Sequence, residues 1–271
     1  MNSKRDGKFF QFPIRALRVG CGLDAVTREQ AGDVFDAAIG WSIMHRANKL
    51  QNDEQDEQLD ELADAYLAVN DATDTDNEAV RAVAASLKQH NVRVKCLNKA
   101  RVKAYGDSWK RIERIPGTGL LVRVRTNLMF EMRDTWSFRD AAILCAVYAG
   151  VGGKVPYKRV TAERIRTLAM GFASGAERKQ HGARLPKLTE RKVRWTLGKL
   201  ERRGFFQSAT PTRRCTYYSH RLSEREFIEV LAMREKESIQ RKTDTKRAAI
   251  LARAQELLAA DAAAAMQSGG R

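Results

Sequence analysis

In the stretch KLTERKVRWTLGKLERRGFF, positions 187–206, arginines and lysines crowd around a single tryptophan, Trp195. Guanidinium groups donate paired hydrogen bonds to guanine edges and to phosphates, and ammonium groups neutralise phosphate as point charges. The chemistry on offer is recognition of a polyanion rather than bond making. A helix would sort these residues by face: at about 100° per residue, Val193, Thr196, Leu197 and Leu200 share an arc of about 100°. Arg191, Arg194, Trp195, Gly198, Lys199 and Arg202 fall on the opposite side. One face can therefore anchor the helix while the other stays cationic, with Trp195 at its centre.

Catalytic patterns are missing. His45, His90, His181 and His220 are isolated, with no paired-histidine pattern, and the basic part of the chain has no acidic cluster to hold metal ions. Cys21, Cys96, Cys145 and Cys215 lie far apart, which signals neither a zinc site nor a disulfide framework. GVGGK at 150–154 lacks the earlier glycine and the Ser/Thr of a phosphate-binding loop, and G-x-G-x-x-A in LRVGCGLDAV has too little before it to form a buried strand. We expect no enzyme, no cofactor and no metal.

Net charge supports the polyanion reading. The 271 residues carry 49 Lys+Arg against 33 Asp+Glu, a balance of +16. Residues 51–80 hold eleven acids and no Lys or Arg, so the remainder sums to +27. Such a field attracts nucleic acid. The acidic segment itself reads either as a solvated helix face or linker, or as a DNA-mimicking surface that blocks the basic region.

The elements that must position the cationic face follow from local signals. Phe9 to Val19 is an apolar extended segment, and Val34, Ala37, Ala38, Trp41 and Met44 stripe a helix over about 27–50. A short helix around Leu59, Leu62, Tyr66 and Leu67 and a helix from Glu78 to about Tyr105 come next. IPGTG at 115–119 is a turn, and LLVRVRTNLMF alternates like a strand. Ser137 with Asp140 forms a capping box ahead of the apolar run FRDAAILCAVYAG. Residues 154–158 suit a small edge strand, Thr161 caps a helix bearing Ile165, Leu168, Ala169 and Phe172, and Thr189 caps the basic helix. Gly204 ends that helix in a left-handed conformation, and 205–219 reads as a β-hairpin with a basic tip.

On SFRDAAILCAVYAG, VTAERIRTLAMGF, LTERKVRWTLGKLERRGFF and the hairpin, the chain resembles a winged helix-turn-helix DNA-binding domain over about 85 residues. It departs from that family in the connection between the second and third helices, about sixteen residues where a short turn is usual. Plasmid and phage replication initiators and bacterial transcription regulators are built on such domains. The resemblance implies that Arg191, Lys192, Arg194, Trp195 and Gly198 lie nearest the bases. Lys199, Arg202 and Arg203 then suit phosphates, and Arg213 and Arg214 the neighbouring backbone or minor groove. Trp195 has a second reading, as a contact to another domain or subunit.

The expected architecture is mainly α (α+β). It comprises a helical N-terminal domain (1–115), a winged helix domain (120–222) with a small hairpin wing, and a C-terminal helix and tail (223–271). The expected function is sequence-specific binding of double-stranded DNA in transcription regulation or replication, in a cytoplasmic, bacterial or phage- or plasmid-encoded protein. The alternative is RNA or single-strand binding through VRVKCLNKARVKAYGDSWKR. There Lys99, Arg101, Lys103 and Lys110 supply charge, and Tyr105 and Trp109 could stack on bases. Equally, Val92, Val94, Leu97 and Val102 can be core positions and the charges an outer face. No stretch is apolar enough to span a membrane. The C-terminal helix, interrupted near Thr243-Asp244-Thr245, reads either as a surface helix fraying into an Ala-rich tail or, through Ile250, Leu251, Ala254, Leu257 and Leu258, as a pairing helix that would make a homodimer.

Overall fold

The computed structural model describes residues 8–19, 28–52, 56–70, 72–152, 155–181, 188–212 and 215–268. It is mainly helical with two small antiparallel sheets, and it divides into two compact units, Met1–Arg221 and Leu222–Arg271.

In the first unit the chain opens with β1 (Phe9–Pro13) and a 3₁₀ turn (Ile14–Arg18). Four helices follow: α1 (Arg28–Asn52), α2 (Asp56–Leu67), α3 (Glu78–His90) and α4 (Lys99–Glu113). Next come β2 (Leu121–Arg125), α5 (Thr126–Thr135) and α6 (Phe138–Val151). The sequence closes with β3 (Lys158–Arg159), α7 (Ala162–Ala169), α8 (Gly175–His181), α9 (Glu190–Arg202), β4 (Gln207–Thr212) and β5 (Cys215–Ser219).

β1 and β2 pair antiparallel, Phe10 opposite Val124 and Phe12 opposite Val122. Alternation explains the pairing: these four side chains are buried, while Arg123 and Arg125 point outward. The expected domain boundary at 115–120 falls between α4 and β2, yet one buried cluster runs from Phe10 to Tyr218 across it. The first strand crosses back to pair with a strand beyond the boundary, so no separate core is left on either side.

α6 is the central helix. Ser137 caps it, its hydroxyl accepting from the Asp140 amide at 3.2 Å, and nearly every residue from Phe138 to Val151 is buried. Gly150 lets Val160 come close, since a Cβ there would lie 3.1 Å from Val160 Cγ1. Around α6 stand α7, capped by Thr161, and α9, capped by Thr189. The three-stranded sheet has the order β3-β5-β4.

Several expectations are corrected. The helix expected from Glu78 to Tyr105 stops at His90, because Asn91 adopts φ 55° and its N–H closes onto the Leu87 and Lys88 carbonyls. α4 starts afresh at a cap on Asn98. LLVRVRTNLMF is a strand only to Arg125; from Thr126 it is helix α5, which buries Met129 and Met132. The edge strand is the two-residue β3, and the long connection before α9 contains α8.

The second unit is α10 (Glu224–Ser268), continuous through the expected interruption. The Thr243 and Thr245 hydroxyls donate to the Ile239 and Arg241 carbonyls at 3.0 and 2.8 Å, so these polar β-branched residues turn their hydroxyls onto the helix.

Candidate nucleic-acid interface

The division of α9 into two faces is set by its own sequence. Val193, Thr196, Leu197 and Leu200 are buried, and α9 packs through them on α6 and α7. Trp195 is 61% exposed, Arg191 and Arg202 are exposed, and neither arginine forms an ion pair among the described residues. Lys192 is also exposed, with its amide donating to Thr189 Oγ1 at 3.3 Å. Gly198 sits half-exposed, and a Cβ added there would meet nothing within 4 Å. The outward surface is thus a tryptophan ring framed by unpaired guanidinium groups beside a shallow place in the helix.

Not every expected cation is equally available. Arg194 bonds Glu190 at 2.6 Å, an exposed i,i+4 pair that a competing phosphate could open. Lys199 reaches back to Asp140, Nζ to Oδ2 2.5 Å, and its ammonium also stands 5.8 Å from the Trp195 ring. Because the Asp140 carboxylate is buried, Lys199 balances an internal charge as well as facing solvent. Arg203 lies over the Trp136 and Phe205 rings at 4.5 and 4.9 Å and pairs with Glu131 at 3.6 Å. It is a packing residue between α5 and the end of α9. Arg213 and Arg214 lie outside the described residues.

The hairpin is tied to α9 by Glu201, whose Oε1 accepts from the Ser208 amide and hydroxyl at 2.8 and 2.7 Å. Gly204 turns the chain at φ 76°, as a C-terminal glycine must, and Phe206 drops into the core against Tyr218. On the neighbouring strand β3, Lys158 and Arg159 are exposed. At the end of β5, His220 packs on Tyr148 with ring centroids 4.6 Å apart. Burial, with Arg221 and Arg125 adding repulsion, pushes its pKa down to about 4, so the ring is neutral at pH 7.

The second cationic set sits on a different element. Lys99, Arg101, Lys103 and Lys110 are exposed along α4, which packs on α1. Lys103 pairs with Asp107 at 2.9 Å, and Lys99 stands 3.9 Å from Asp74. The interleaved aromatics turn inward: Trp109 stacks on Trp41 and His45 at 5.0 and 5.8 Å, and Tyr105 is half-buried. Their faces serve α1–α4 packing, and Val92 and Leu97 are core residues. The acidic segment is partly neutralised at home, with Asp60 and Asp64 on Arg81 at 2.7 and 3.0 Å.

The roles of Asp140, Trp136 and Glu131 in holding cations in and just after α9 cannot be found by spacing, because those residues lie in or at the end of earlier helices. Among the described residues no group of three or more His, Cys, Asp and Glu side chains could hold a metal ion, and no helix is long and apolar enough to cross a membrane. Comparison with protein-family models, curated proteins and solved structures finds no match.

Proposed function

We propose that the chain is a non-enzymatic, sequence-specific double-stranded DNA-binding protein. In this reading α6, α7 and α9 with β3, β4 and β5 act as a winged helix-turn-helix module, α9 enters the major groove, and the β4–β5 hairpin is the wing. One observation carries it: α9 buries one face in the core while presenting Trp195, Arg191 and Arg202 together on the other. A major groove about 12 Å wide admits such a helix and offers guanine O6 and N7 to its arginines. The strand order β3-β5-β4 beside three helices supports the same assignment. Transcription regulation and initiation of plasmid or phage replication are its two uses, separable by whether selected sites are palindromes or direct repeats.

Selection from random duplex DNA, with single strands and RNA as competitors across a salt series, tests it. The expected result is an enriched duplex motif whose preference relaxes in Arg191→Ala. Arg202→Ala is expected to weaken all duplexes alike and to lower the salt slope by about one unit. Failure to enrich any duplex motif would sink the sequence-specific reading. Preferential binding of single strands would replace it with the other nucleic-acid class.

A further inference from the structure

We propose that the outward face of α4 grips the phosphate backbone of duplex DNA without reading its sequence, a contact separate from that of α9. Residues 91–119 hold eight Lys and Arg against two acids, and all eight cations are exposed. At about 100° per residue, Lys99, Lys103, Lys110, Arg111 and Arg114 fall within an arc of about 120°. Tyr105, Trp109 and Ile112 lie opposite, on the side that packs on α1. Asp107 is the one acid inside the cationic arc, and Ala100, Ala104 and Gly106 keep the surface there low.

Few of these cations are neutralised within the protein. Lys103 pairs with Asp107 at 2.9 Å and Lys99 stands 3.9 Å from Asp74, and the other six form no ion pair among the described residues. Glu113, at the edge of the arc, is already held by Arg15 at 2.6 Å and by the Trp41 indole at 2.8 Å. A basic amphipathic helix that binds a membrane or lies in a protein groove does so by inserting its apolar side. In α4 that side is occupied by α1, and no large apolar side chain of the helix is exposed. What remains is attraction between point charges and a row of anions. The arc runs for about 22 Å at about 1.5 Å per residue. Phosphates of one strand follow one another about every 3.4 Å along a duplex, so several come within its reach. Three of the five cations are lysines, which lack the paired donors that single out guanine, and phosphate contacts of this kind set affinity rather than sequence. That the polyanion is duplex DNA rests on the reading of α9 given above. α9 packs on α6 and α7, whereas α4 packs on α1 and α3. The two helices thus divide the work: α9 selects a site, and α4 supplies the salt-sensitive hold that keeps the chain on DNA during the search.

Fluorescence anisotropy of the full chain on a duplex lacking the selected motif, across a salt series, tests the proposal, with circular dichroism and the unfolding midpoint verifying each variant's fold. Lys99→Gln/Lys103→Gln/Lys110→Gln/Arg114→Gln is expected to bind at least tenfold more weakly and to flatten the slope of log affinity against log salt by about three units. Lys236→Gln/Lys242→Gln/Lys246→Gln/Arg247→Gln removes the same charge from exposed positions of α10 and should flatten it by less than about one unit. On the selected duplex the α4 variant should keep the native ratio of specific to non-specific affinity, whereas Arg191→Ala should lose that ratio and keep most of the slope. Equal slopes in the native chain and the α4 variant overturn the proposal and leave the reading of α9 intact. Equal flattening in both four-charge variants overturns it too, since net charge alone would then count. A flattened slope in a chain that enriches no duplex motif upholds the α4 contact and removes the sequence-specific reading. If the α4 cations matter for phosphatidylglycerol vesicles or for RNA but not for duplex DNA, the face belongs to that partner and the proposal falls.

Discussion

Arg18 and Glu177 lie 159 residues apart in the chain and meet in a buried ion pair, guanidinium to carboxylate 3.2 Å, with both side chains about 8% exposed. Arg18 also stacks over Phe172 at 4.5 Å and donates to the Pro116 carbonyl, while Glu177 accepts from the Ala173 amide at 3.0 Å. The contact therefore gathers the 3₁₀ turn, the 115–119 turn and the region of α8 at one point.

Removing one partner of a buried pair strands the other, at a cost of about 3 kcal/mol or more. Arg18→Met or Glu177→Gln should each lower stability by about that amount, and the double variant by less than the sum. Gly117 adds a stringent case. It sits at φ 137°, and a Cβ there would run into the Glu177 carboxylate and the Arg18 guanidinium. Gly117→Ala should destabilise comparably with no charge removed. Denaturant unfolding of the four variants decides; full additivity of the two charge changes would show that the pair is not an energetic unit.

Lys199 was expected to hold phosphate, yet it bonds the buried Asp140 carboxylate at 2.5 Å. Lys199→Met should cost about 1–3 kcal/mol by leaving that carboxylate without its cation. Asp140→Asn in the same chain should return part of the loss. If Lys199→Met leaves the unfolding midpoint unchanged while flattening the salt dependence of DNA binding, the lysine belongs to the interface and not to the fold.

What could be read from sequence was what depends on neighbours a turn away. Ser137, Thr161 and Thr189 cap their helices as their spacing implies, Gly204 takes the left-handed conformation, and the side of α9 carrying Val193, Thr196, Leu197 and Leu200 is the buried one. The break at Asn91 is not legible in the sequence, because apolar positions continue through Val92, Val94 and Leu97 at spacings a helix could also satisfy. The fates of Lys199 and Arg203 were hidden for another reason. An exposed cation and a paired one look alike until Asp140, 59 residues from Lys199, or the Trp136 ring is brought alongside. The same holds for β1, whose partner strand lies beyond four helices.

His220 gives an acid-side signature. Its folded pKa is about 4 against an ordinary 6.5, so the unfolded chain takes up a proton more readily than the native one. The associated stability is complete above about pH 6.5, falls as pH drops through that value, and is gone near pH 4, about 3 kcal/mol in all. Burial lowers the pKa values of His90 and His45 too, with the same sign. His220→Phe keeps a ring against Tyr148 and removes one titration, so unfolding near pH 5 should take up about one proton fewer. An unchanged pH slope would mean that the ring charges freely in the native state.

Trp195 separates fold from contact by light emission. Trp41 and Trp136 are buried and Trp109 is half-buried, which leaves Trp195 as the tryptophan most open to a soluble quencher. Trp195→Phe should abolish most quenching by acrylamide in the free protein and shift stability by less than about 0.5 kcal/mol. Adding a selected duplex to the native chain should protect the same fraction of emission. Quenching unaltered by a duplex that binds would place Trp195 away from the DNA.

Gly198 provides the sharpest division between a helix built only to be stable and one built to be approached. It lies in the middle of α9, is half-exposed, and has open space where a Cβ would go. Glycine in such a position weakens a helix by about 1 kcal/mol relative to alanine, and packing returns nothing for it here. Gly198→Ala should therefore raise stability by about 0.5–1 kcal/mol. If α9 brings its backbone close to base edges, the added methyl group stands in the gap, and affinity for the selected duplex should fall several-fold while non-specific binding holds. A variant that is both more stable and equally tight would detach Gly198 from the interface and leave recognition to Arg191, Trp195 and Arg202 alone.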